Sequence, residues 1–168
     1  KLYGHNTDAE GFYRSFREES GTSFKGKSVV VLGAGGAARA IAVKMTMEGA
    51  AKVYIANRTA ERAKNIADII NRNISDTAEQ CELIGNSFTD IFHSSEIIVN
   101  TIPLGMYPDV DCMPVDEEIG FSTGQVVFDA VYNPPKTKFL RTAEQSGCKT
   151  VNGFGMLLYQ GISAYEIW

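Results

Sequence analysis

The sequence predicts an α/β domain of the doubly wound kind, with a mainly parallel sheet and helices on both of its faces. Three observations predict it. Short β-branched runs alternate along the chain with stretches of helical apolar spacing, the order that produces a parallel sheet covered on both sides. The first run, Ser28–Leu32 (SVVVL), is continuously apolar after its first residue, as expected of a strand buried on both faces. A glycine-rich turn follows it at once, Gly33-Ala34-Gly35-Gly36-Ala37-Ala38.

In chain order, residues 9–19 read as a helix with Ala9, Phe12 and Phe16 on one face, and Thr7 and Glu10 are spaced for a capping box at its start. After the strand at 28–32, residues 37–48 read as a helix that stops at Gly49. Residues 53–56 are the second strand. Residues 59–71 form a helix with Ala63, Ile66, Ala67 and Ile70 at helical spacing. Residues 82–84 are a weak third strand, 96–101 (EIIVNT) a fourth, 125–130 (QVVFDA) a fifth and 149–151 a short sixth. Residues 155–168 close the chain as a helix. In open sheets of this kind ligands sit beyond the C-terminal ends of the strands, near the switch in strand order, and each motif described next falls at such an end.

The turn at 33–38 has the form G-x-G-x-x-A, the dinucleotide fingerprint of a Rossmann-type fold with Ala in its third place. Gly33 permits the tight turn, Gly35 lets backbone approach a pyrophosphate, and Ala38 allows close helix–strand packing. The N–H groups that open the helix then face the phosphates. Gly33, Ala34, Gly35, Gly36 and Ala37 are the candidate contacts. The competing reading is a merely tight strand-to-helix turn.

At the end of the second strand, where an NAD-preferring fold places Asp or Glu for the ribose 2′-hydroxyl, this chain has Asn57-Arg58-Thr59, with Arg62 a turn later. No carboxylate is present to repel a 2′-phosphate, and two guanidiniums are available to grip it. The physics favours NADP over NAD; the alternative is a pair of solvated arginines at an exposed helix start.

These residues resemble shikimate dehydrogenase. The glycine turn followed by Asn57-Arg58-Thr59-Ala60-Glu61-Arg62 is similar to that family's cofactor domain. Gly4-His5-Asn6-Thr7-Asp8 matches its G-x-N-T-D. Asn100-Thr101-Ile102-Pro103-Leu104-Gly105-Met106 resembles N-x-T-P-x-G-M, with Ile102 where Thr is usual. Asp129-Ala130-Val131-Tyr132 with Pro134 and Thr137 matches D-x-V-Y-x-P-x-x-T, and the segment 153–160 matches G-x-x-M-L-x-x-Q. The resemblance implies NADPH-dependent, reversible reduction of 3-dehydroshikimate to shikimate, a step of aromatic amino-acid biosynthesis. It implies that Asp8 pairs with a catalytic lysine and bonds the substrate hydroxyls, and that Gln160 and Tyr132 also contact substrate. Thr101 and Met106 then border the nicotinamide, with the backbone of Ala130 and Gly153 alongside it. Without the resemblance, Asp8 reads more readily as a favourable charge at a helix start than as a functional group, and Tyr132 nearly as readily as a core tyrosine at a strand end.

The family has a second, N-terminal α/β domain that carries serines and the catalytic lysine. The sequence opens on Lys1-Leu2-Tyr3 just before the G-x-N-T-D motif. The expectation is therefore that 1–168 is the cofactor-binding half, inactive alone, whose helices at 9–19 and 155–168 border the missing domain and whose exposed apolar surface favours a homodimer. Two rival functions stay open: an NAD(P)-dependent quinate/shikimate dehydrogenase, and a non-catalytic dinucleotide-sensing module. A sensor has no use for Asp8, Tyr132 and Gln160.

Composition excludes other classes. The chain has 168 residues, 44% hydrophobic and 21% charged, enough for one domain with its own core. Its net charge of −4 is scattered and gives no basis for a nucleic-acid or membrane partner. No apolar run approaches the ~20 residues of a bilayer span, and a cytoplasmic location is expected. Cys81, Cys112 and Cys148 are odd in number and have no CxxC spacing, which argues for reduced, structural cysteines. His5 and His93 have no metal or nucleophile pattern. The acidic residues at 109, 111 and 116–118 lack calcium-loop spacing and read as a solvated loop.

Overall fold

In a computed structural model, which describes residues 3–168, the chain runs α1 (Asp8–Ser20), β1 (Ser28–Leu32), α2 (Gly36–Met47), β2 (Lys52–Ala56), α3 (Ala60–Asn73), β3 (Ala78–Cys81), α4 (Asn86–Ser94), β4 (Ile97–Asn100), β5 (Val126–Asp129), α5 (Lys138–Gln145), β6 (Lys149–Asn152) and α6 (Phe154–Ile167). The first two positions of the expected domain lie outside the described residues. The strands form one sheet in the order β3-β2-β1-β4-β5-β6, and every neighbouring pair is parallel. The doubly wound fold expected from the sequence is therefore the fold observed. Strand order switches between β1 and β4, so a crevice opens beyond their C-terminal ends.

The pleat sorts each central strand between two cores. Val29 and Val31 join a cluster with Phe12, Phe16, Ile41, Ile55, Ile70 and Phe128, while Val30 and Leu32 join Phe88, Phe92, Ile98, Val127 and Phe139 on the opposite side. The first cluster is covered by α1, α2, α3 and α6, the second by α4, α5 and part of the long β4–β5 connection. Burying both faces is what allows strands without polar alternation.

Two expectations are corrected. The third strand is Ala78–Cys81 rather than 82–84. It is an edge strand paired only to β2, so exposed Glu79 and Gln80 are tolerated, and the apolar pair that stood out follows it: Leu83 is buried in the second core and Ile84 is exposed. Thr7 does not cap α1, since its side chain makes no cap bond; Asn6 Oδ1 accepts from the N–H of Asp8 at 3.0 Å and of Ala9 at 3.4 Å instead. The acidic residues lie exposed in a loop as expected, with one short 3-10 turn at Glu117–Ile119 that Asp116 caps through the Glu118 N–H. The helices α4 and α5 were not read from the sequence. Each buries a compact apolar group, Phe88 and Phe92 in α4 and Phe139, Leu140 and Ala143 in α5, too short to show a long period. His93 lies in the last turn of α4. Among the described residues no helix is long and apolar enough to cross a membrane. Cys81 and Cys148 are unpaired thiols that burial pushes up, Cys81 to about 12; Cys112 is exposed.

Candidate functional site

The glycine turn divides its work. Gly33 has φ +106°, and a Cβ there would stand 2.5 Å from the Thr101 hydroxyl, so neither the conformation nor the space admits a side chain. Its N–H donates to the Ala56 carbonyl at 2.8 Å, which ties the turn to β2. Gly35 and Gly36 have no heavy atom near an added Cβ and face open space. The helix α2 starts at Gly36 with no side-chain cap and no acid in its first turn. Its first N–H groups thus have no partner within the helix. They border a cavity of about 340 Å³ lined by Ala34, Gly35, Gly36, Arg39, Arg62 and Asn65.

Two arginines line this opening and a third lies in the next groove. Asn57 donates its amide to the Thr59 carbonyl at 3.0 Å, which shapes the turn into α3. Arg62 lines the cavity just described, and Arg58 lines a neighbouring groove of about 480 Å³ beside Gly85, Asn86 and Thr89. Arg39, on the first turn of α2, was not singled out from the sequence, although it directly follows the fingerprint. Among the described residues none of the three guanidiniums has an ion pair or side-chain hydrogen bond. Two unpaired cations, Arg39 and Arg62, thus line the same cavity as the free N–H groups, a donor set suited to an anion.

A second cleft, of about 250 Å³, lies between two loops that leave the sheet side by side. Thr101, Ile102, Pro103, Met106 and Tyr107 form one wall, and Ala130, Val131, Tyr132 and Asn133 the other. The structure therefore brings together Thr101, Met106, Ala130 and Tyr132. Tyr132 is 47% exposed, which rules out the core alternative. The Thr101 hydroxyl donates to the Leu32 carbonyl at 2.7 Å, so it also has a structural use. Ile102 offers the cleft an apolar side chain packed partly on the second core. Gly153 does not line the cleft: a Cβ there would meet the Ala130 carbonyl oxygen at 2.1 Å, so its close approach is to protein backbone. Gly155 likewise makes room for Ser15 and Glu19 of α1, not for a ligand.

Beneath the cleft lies a buried network that sequence reasoning gave no role. Asp129 is fully buried. It accepts from Asn100 Nδ2 at 2.9 Å, from the Val131 N–H at 3.0 Å and from the Thr137 hydroxyl at 2.6 Å. Burial pushes its carboxyl up to about 6, and the three donors only partly offset this.

Asp8 and Gln160 meet where α1 and α6 run antiparallel. The Gln160 amide donates to Asp8 Oδ1. The approach depends on Gly11, where a Cβ would lie 2.7 Å from the Met156 carbonyl oxygen and 2.8 Å from the Gln160 nitrogen. Met156 and Ser163, on the same side of α6 as Gln160, are buried. No group of metal-ligating side chains occurs among the described residues.

This architecture has clear relatives. Residues 16–101, about half of the chain, match the family model described as shikimate / quinate 5-dehydrogenase. The shikimate dehydrogenase (NADP(+)) of Methanopyrus kandleri is 41% identical over 168 residues, covering 100% of this chain and 58% of its own. Among solved structures, the shikimate 5-dehydrogenase of Listeria monocytogenes, in complex with shikimate and NAD, superposes with a TM-score of 0.90 at 33% identity, over 98% of this chain and 58% of that one. The ligand-free 5-ketofructose reductase of Gluconobacter sp. strain CHM43 superposes with a TM-score of 0.87 at 42% identity, over 100% of this chain and 59% of that one. The chain thus spans just under three-fifths of the length of these relatives. It belongs to the shikimate / quinate 5-dehydrogenase family.

Proposed function

We propose that this chain is the NADP-binding portion of a shikimate dehydrogenase, which reversibly reduces 3-dehydroshikimate to shikimate with NADPH. The observation that carries the reading is the uncapped start of α2, open to a cavity beside unpaired Arg39 and Arg62, with Arg58 close by and no acid in the helix's first turn. That donor set fits a pyrophosphate together with a 2′-phosphate. Gly33, Ala34, Gly35, Gly36 and Ala37 take the pyrophosphate side, and Asn57, Arg58, Thr59 and Arg62 the 2′-phosphate side. The cleft between Thr101–Met106 and Ala130–Tyr132 takes the nicotinamide, which supplies the hydride when bound. The walls of the cleft orient the ring and exclude water from one side of it.

Asp8 and Gln160 are the substrate groups of this chain, together with Tyr132 on the wall of the cofactor cleft. A carboxylate that accepts and an amide that both donates and accepts suit a polyhydroxylated ring. Asp8 also holds the catalytic lysine, which we place in the part of the relatives' length that this chain does not span. The chain alone is accordingly expected to bind nucleotide without turning over substrate. The exposed outer side of α6 is where the remaining domain packs, and where two copies of the isolated chain pair.

Titration with NADPH and, separately, NADH tests the cofactor assignment. NADPH should bind more tightly, and Arg58→Ala should weaken it by roughly 10- to 100-fold, the loss of one or two charge-assisted bonds, while leaving NADH unchanged. Equal affinities in the parent would favour the quinate-type alternative, for which the NAD complex of the quinate dehydrogenase of Corynebacterium glutamicum, 30% identical, is the structural precedent. The likeness to 5-ketofructose reductase supports a second reading of the substrate as another polyhydroxylated ketone. Assays of the full-length protein with 3-dehydroshikimate and 5-ketofructose decide between them.

A further inference from the structure

We propose that Asn100 and Asp129 form a buried clamp that sets the spacing of the two loops lining the 250 Å³ cleft, and so act as positioning residues for the nicotinamide. The inference rests on the reading that this cleft receives the nicotinamide.

Along the β4–β5 pair the partners are Ile97 with Val126, Ile98 with Val127 and Val99 with Phe128, all apolar and all buried. At the last step the pair becomes Asn100 with Asp129, both fully buried. Backbone pairing continues through this step, since the Ala130 N–H donates to the Asn100 carbonyl at 2.9 Å. The sheet itself therefore does not need the polar pair. Two apolar side chains would close the layer without desolvating a carboxylate, which is costly even when well bonded.

The bonds go to the loops. One Asn100 Nδ2 hydrogen reaches the Ile102 carbonyl at 3.0 Å and the other reaches Asp129 Oδ1, while Asn100 Oδ1 accepts from the Ile102 N–H at 2.9 Å. The amide thus uses its whole donor capacity to fix the first residues of one wall and to tie them to Asp129. Asp129 Oδ1 also accepts from the Val131 N–H, at the start of the other wall. Its Oδ2 accepts from Thr137, whose oxygen in turn accepts from the Leu140 N–H at 3.3 Å and so caps α5. One connected network holds both walls and the helix behind the second. Satisfied buried networks of this kind confer rigidity, and cleft walls held within fractions of an ångström decide how a bound ring is presented.

The test is a pair of titrations on the chain itself, with NADPH and with adenosine 2′,5′-bisphosphate, which carries the phosphates but no nicotinamide. Asn100→Ala should weaken NADPH about tenfold and remove the fluorescence gain of the bound nicotinamide, while adenosine 2′,5′-bisphosphate binds as in the parent. Asp129→Asn keeps an acceptor for Asn100 and Val131 and reverses the bond to Thr137, whose oxygen then accepts from the amide, and should bind both ligands nearly as the parent does. Unchanged NADPH binding and fluorescence in Asn100→Ala would overturn the clamp, and so would equal weakening of both ligands. If Asn100→Ala binds neither ligand, the milder Asn100→Ser decides by the same criteria. A parent that binds the bisphosphate but gains no nicotinamide fluorescence overturns the placement of the ring, and a parent that binds neither ligand overturns the cofactor reading itself.

Discussion

The Asp129 carboxyl sits at about 6 in the folded chain because burial outweighs the donors from Thr137, Val131 and Asn100. A raised value means that the folded chain holds this proton more tightly than the unfolded chain. The stability it contributes is fully present below the unfolded value near 4 and is lost as pH rises through about 6. Relative to a neutral amide, Asp129 should therefore become more destabilising by about 2 kcal/mol between pH 4.5 and pH 8. Urea unfolding of the parent and of Asp129→Asn at both pH values reads this difference directly, and a gap independent of pH would refute it. Asp129 was legible as a motif letter but not as a participant, because its partner Asn100 lies 29 positions away and only the β4–β5 register joins them. Asp8 and Gln160 are separated by 152 positions, and in the sequence only the likeness to a known family links them. Arg39 is the opposite case: its place just after the fingerprint was in plain view, and helical geometry alone puts it on the exposed side of the turn.

The helix pair α1–α6 shows what a glycine can do between elements. An alanine inside an exposed helix is ordinarily better than glycine by about 1 kcal/mol. At Gly161, where nothing lies near an added Cβ, Gly161→Ala should show that gain. At Gly11 the same methyl would meet backbone atoms of Met156 and Gln160, which no side-chain rotation relieves. Gly11→Ala should therefore cost about 1–3 kcal/mol despite its better propensity, and it should separate Asp8 from Gln160. Chemical unfolding of the two variants, side by side, checks both signs. The long elements were legible because their signals are long: the continuous run of β1 and the four apolar positions of α3, Ala63, Ile66, Ala67 and Ile70, are each buried as expected. The strand β3 was not, because an edge strand with two exposed polar residues carries no apolar pattern, whereas the apolar pair just after it does. The helices α4 and α5, of 9 and 8 residues, fit barely two turns each, too few for a period to declare itself.

For the whole molecule, the balance of covered and uncovered surface matters more than any single contact. Both faces of the sheet are sealed by helices, and the apolar positions of α1 are spent inward on Phe12 and Phe16, leaving Arg17, Glu18 and Glu19 exposed. The expectation that both border helices present apolar surface thus holds for α6 alone. That helix exposes Phe154, Leu157, Leu158, Ile162, Tyr165 and Ile167, and buries only Met156 and Ser163. A run of this kind on an otherwise polar molecule seeks a cover, and the chain spans only 58% of the length of its relatives. Studied by itself, the chain should dimerise through α6 as its concentration rises. The double variant Leu157→Ser, Leu158→Ser should stay monomeric in sedimentation while binding NADPH as the parent does, since neither side chain lines the 250 Å³ cleft or the cavity at the start of α2. A parent that stays monomeric at high concentration would refute pairing through α6. A variant that still dimerises would place the contact elsewhere on the surface.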